Sequence, residues 1–86
     1  MKKVKLLEEF ESLGERLGVK IVKGKGNFVG GTCHINEEKV IVINKTKPVE
    51  QRLRVLALSF LEWDLEGMFV MPALRAYIDD INTLNL

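Results

Sequence analysis

Apolar residues along the chain recur at two different periods, and the change of period marks the elements. Residues 3–17 carry Leu6, Leu7, Phe10, Leu13 and Leu17 at three- and four-residue spacing, which predicts an amphipathic helix. Gly18 follows and suits a left-handed C-terminal cap. Three short strands come next: Val19 to Lys23, Phe28 to Ile35, and Lys39 to Asn44. Gly24-Lys25-Gly26-Asn27 and Asn36-Glu37-Glu38 separate them as turns. The run Val40-Ile41-Val42-Ile43 has no polar face, so the third strand is expected to be central and covered on both sides. Gly30-Gly31 inside the second strand points to a bulge or to the close approach of another backbone.

The period returns to helical after Pro48. Val49, Leu53, Leu56, Ala57 and Phe60 form one stripe of a helix expected to run from Pro48 to about Asp64. Val55, Leu58, Leu61 and Leu65 widen that stripe beyond what a one-sided helix needs. Met68 to Met71 is an apolar connector. Pro72 opens a last helix with Leu74, Tyr77, Ile78 and Ile81, followed by a tail with Leu84 and Leu86. The order αβββαα predicts an α+β fold with a three-stranded, mainly antiparallel sheet, in a single domain over residues 1–86.

Composition narrows the class. A hydrophobic fraction of 47% and a charged fraction of 29% exclude a disordered tail and a collagen-like repeat. Cys33 is the only cysteine, so no internal disulfide forms, and a reducing, cytoplasmic setting is expected. The basic start is interrupted by Glu8 and Glu9, and no apolar run approaches the ~20 residues of a membrane span. Net charge is +1, but it is unevenly spread. Residues 1–47 carry a net +4 and residues 48–86 a net −3. Complementarity between the halves is the first expectation, and a basic face for an anionic partner is the second.

Recognisable catalytic chemistry is sparse. Cys33 and His34 are neighbours in a strand and therefore point to opposite faces, which rules against a nucleophile–base pair. Cys33 shares its side with Val29 and Ile35, so it is expected to be buried, with His34 exposed. One imidazole and one inward thiol do not make a zinc site, and no metal or cofactor is expected. Gly24-Lys25-Gly26 and Gly30 fail the dinucleotide spacing and precede a strand, so a hairpin turn and a bulge are expected there. Glu62, Asp64 and Glu66 form an acidic cluster in which Glu62 and Glu66 share a helical side.

The block from Gly30 to Arg75 resembles a family of small bacterial proteins without assigned activity. The shared residues are Gly30-Gly31-Thr32-Cys33, Val42-Ile43-Asn44-Lys45, Leu56-Ala57, Asp64-Leu65-Glu66, Pro72 and Arg75. A more distant likeness is to zincin-like metallopeptidases, in which a strand ending I-x-I-N precedes a helix bearing H-E-x-x-H. Here Ile41-Val42-Ile43-Asn44 precedes the helix. Leu58 and Glu62 stand where both histidines belong, and Ser59 where the glutamate belongs. Without those groups the likeness implies a fold without peptidase activity.

Three functions follow in order. The first is a non-catalytic interaction module that self-associates as a homodimer through its C-terminal half, using Val55, Leu58, Trp63, Leu65, Met68 and Phe69. The second is nucleic-acid or other polyanion binding through Lys20, Lys23, Lys25, Lys39 and Lys45. The third and weakest is an enzyme using the acidic cluster at 62–66.

Overall fold

The computed structural model describes residues 2–84 and shows the α+β order αβββαα. Helix α1 spans Lys3–Leu17, with Gly18 closing it at φ 71°. The strands are β1 (Ile21–Gly24), β2 (Gly30–Ile35) and β3 (Glu38–Asn44). Helices α2 (Val49–Phe60) and α3 (Pro72–Leu84) complete the chain, and Leu86 lies outside the described residues. No helix of the described residues is long and apolar enough to cross a membrane.

The sheet is mixed, with strand order β1-β3-β2, and its longer ladder is antiparallel as expected. β2 and β3 form the expected hairpin, turning at Asn36 and Glu37 with φ of 51° and 68°. Paired positive φ values give the turn a twist that matches the strands. β1, however, runs parallel to β3 and does not pair with β2. The Lys25–Val29 segment is therefore not a hairpin turn but a bridge across the C-terminal end of β3. Asn44 holds it there. Its Nδ2 donates to the carbonyl oxygens of Gly26 at 2.8 Å and Phe28 at 2.7 Å. Its Oδ1 accepts from the Thr46 backbone N–H and from Thr46 Oγ1.

All three helices lie on one side of the sheet. Ile41 and Ile43 of β3 face them and join a core with Phe10, Leu13, Leu53, Leu56 and Phe60. Phe10 and Phe60 stack at 5.7 Å between ring centres. Each such side chain, fully buried, contributes about 1.5–3 kcal/mol. α3 packs on α2 and buries Leu74, Ile78 and Ile81. β3 is central as expected, but only one of its sides carries helices. The other side carries Val22, Cys33, Ile35, Val40 and Val42 by strand alternation and register, with Val40 buried, Val22 and Val42 half-buried, and Cys33 and Ile35 exposed.

Two expectations change with this arrangement. Cys33 is exposed, not buried, because its side of β2 is the side away from the helices. Val29 was a poor guide to that side. Gly30 and Gly31 both have positive φ, 107° and 139°, which breaks the alternation between Val29 and the strand. Second, α2 stops at Phe60, four residues short of Asp64. The N–H groups of Glu62 and Trp63 donate three residues back, to Ser59 and Phe60, and tighten the last turn. The Asp64 carboxylate then accepts the Glu66 N–H in a local turn. Glu62 and Glu66 consequently share no helical side.

The opposite charges of the two halves meet within the fold. Lys3 pairs with Glu50, Lys39 with Glu62 at 3.0 Å, and Arg16 donates to the Phe69 carbonyl at 2.6 Å.

Candidate interaction surface

β2 is an edge strand, and its outer edge borders a shallow groove of about 270 Å³. One wall is Val29, Gly30, Gly31 and Thr32, and the other is Val55, Leu58, Ser59 and Glu62 from α2 and its end. Gly30 lets the β2 and β3 backbones approach closely here, with Val55 of α2 within ordinary contact distance. A Cβ there would stand 3.4 Å from Val55 Cγ1 and 2.6 Å from the Val42 carbonyl oxygen. The glycine pair was legible as a close approach of backbone, and Gly30 provides it.

One end of the groove is polar. Glu62 accepts hydrogen bonds from Thr32 Oγ1 at 2.6 Å and from Lys39 Nζ at 3.0 Å. Lys39 lies 4.7 Å from the centre of the Trp63 ring, whose face attracts the ammonium. The Thr32 and Lys39 bonds hold the Glu62 carboxyl below the ordinary carboxylate range, with a smaller effect from His34. A depressed carboxyl contributes stability above its unfolded value and loses it as pH falls through its folded one. Glu62 is exposed, so that contribution is small. In an NMR titration, Lys39→Ala should move the Glu62 midpoint upward. An unchanged midpoint would show that the pair does not form in solution.

The residues anticipated at an interface are scattered. Val55 is buried in the core and offers no surface of its own to a partner. Leu58 is half-buried in the groove. Trp63 packs on Phe60 at 6.0 Å and under Lys39. Leu65 and Met68 are half-buried in the connector, and Phe69 is exposed at its tip. Other exposed apolar side chains are Val4, Val29, Ile35, Leu84 and Leu61, the last just past α2.

The five lysines do not form one basic face. Lys23 pairs with Glu11 at 2.6 Å on the helix side, and Lys39 is held by Glu62. Lys20 lies on the opposite side by alternation, while Lys25 and Lys45 are exposed near the bridge. Among the described residues, no group of three or more His, Cys, Asp and Glu is placed to hold a metal ion.

No family model, curated protein or solved structure matches the chain. The likeness to small bacterial proteins and to zincin-like peptidases therefore rests on the residues quoted for it.

Proposed function

We propose that the protein is a non-catalytic interaction module that self-associates, and that the sheet supplies the main contact in place of the C-terminal helices. The observation that carries this reading is the one-sided cover of the sheet. Helices protect Ile41 and Ile43, while on the other side Cys33 and Ile35 stand exposed around buried Val40 and half-buried Val22 and Val42. The β2 edge next to them has no neighbouring strand among the described residues. Exposed strand edges next to apolar surface favour association.

Sedimentation equilibrium at high micromolar concentration should return twice the chain mass. Phe69→Glu should leave that mass unchanged, because the connector lies outside the contact. A wild-type chain that sediments as a ~10 kDa monomer would remove the reading, as chains this compact need no partner unless surface is left to bury.

A further inference from the structure

Resting on that self-association, we infer that two copies join β2 to β2 across a two-fold axis at Cys33, making one continuous six-stranded sheet. β2 runs antiparallel to β3, so alternate residues of β2 turn their N–H and C=O groups to the unpaired edge. Those groups face solvent and can pair with an extended chain, and a second β2 presents the same row. Antiparallel partners must point their side chains to the same face, which limits the registers to those centred on a residue.

The register centred on Cys33 sets Thr32 opposite the partner's His34, and Gly31 opposite the partner's Ile35. Gly31 offers open space, with nothing within 4 Å of where its Cβ would stand. Ile35 is 45% exposed and lies four residues further along the same strand. Each Ile35 therefore covers the other copy's Gly31, twice by symmetry. No like charges face each other in these pairs.

The helices fit the same geometry. α2 packs across both β2 and β3. Two strands occupy about 10 Å, the width of one helix, so α2 and its symmetry mate become neighbours over the four central strands. Their contact closes the groove between them and covers half-buried Leu58 and exposed Val29 and Leu61. Leu58 thus enters an interface, as its position on α2 suggests, but across the β2 edge and not through α3.

The test combines three measurements on the full chain. Sedimentation gives the mass. Amide hydrogen exchange, above and below the dimer dissociation range, reads the β2 edge. Mild oxidation reads Cys33, since antiparallel partners stand about 4.5–5.5 Å apart at Cα, within disulfide reach. The expected result is a dimer whose β2 amides slow with concentration and whose native form oxidises to a Cys33-linked dimer. Ile35→Glu, at an exposed site that the monomer tolerates, should weaken association roughly tenfold or more. A dimer with concentration-independent β2 exchange and no Cys33 linkage would overturn the edge pairing while leaving self-association intact. A monomer throughout would overturn both.

Discussion

Asn44→Asp is expected to destabilise the protein by about 3–5 kcal/mol at neutral pH, a large part of what a domain of this size has. The two side chains have nearly the same shape, so packing is not the cause. Asn44 is 1% exposed, and its amide nitrogen donates to the carbonyls of Gly26 and Phe28. A carboxylate has no proton to give and would face both carbonyl oxygens across the same short distances. Two acceptors lose their donor, and a buried charge meets two negative dipoles. The neutral acid supplies one donor, so the folded state holds its proton and the introduced carboxyl shifts upward. The sign follows. The deficit is smallest below the unfolded value of about 3.9 and grows as pH rises through the raised folded one. Urea unfolding of both chains at pH 4 and pH 7 checks this. A deficit under about 1 kcal/mol at pH 7 would show that the bridge is not hung on Asn44.

The elements of this chain were legible because their signals are local. Leu6 to Leu17 has a helical period, Gly18 has its cap position, and Asn36-Glu37 sits between two strand patterns. β3 was legible as the central strand because four β-branched residues in succession leave no side for water. Its neighbours were not legible. Whether β1 pairs with β2 or runs beside β3 depends on where the 25–29 segment crosses, and the side chain that holds that segment, Asn44, is distant in sequence. Local alternation grouped Cys33 with Val29 and Ile35 and made that group the core side. The fold reverses the assignment, because Gly30 and Gly31 reset the alternation and α1 and α2 pack on the face of Ile41 and Ile43.

The surface was less legible than the fold. The wide apolar girth of α2 suggested uncovered helix faces in the C-terminal half. Much of that girth is core: Val55 meets the sheet at Gly30, and Leu56, Ala57 and Phe60 are buried. Apolar excess in a sequence shows that something must be covered, but not which element does the covering. Here α3 covers α2 with Leu74 and Ile78, and the apolar side chains left exposed are spread over several elements, with Ile35 on the sheet and Leu61 and Phe69 past the end of α2. The acidic residues share no side for a simpler reason. Spacing of four residues implies a shared side only while the helix continues, and this one ends before Glu62.

Gly30→Ala should cost about 2–4 kcal/mol, and its neighbour Gly31→Ala clearly less. Both glycines have positive φ, 107° and 139°, so both variants carry backbone strain. They differ in what a methyl group would meet. At Gly31 there is nothing within 4 Å, so strain alone sets the loss. At Gly30 the methyl would stand 2.6 Å from the Val42 carbonyl oxygen and 3.4 Å from both Ile43 Cα and Val55 Cγ1. Two of these three are backbone atoms of the central strand and have no rotamer to escape into. β2 would have to move away from β3, lengthening ladder hydrogen bonds and widening the groove against α2. Thermal or urea unfolding of the two single variants separates strain from collision, because strain is common to both. Equal losses would mean that β2 already has room at Gly30, and the close approach of β2 to β3 there would be wrong.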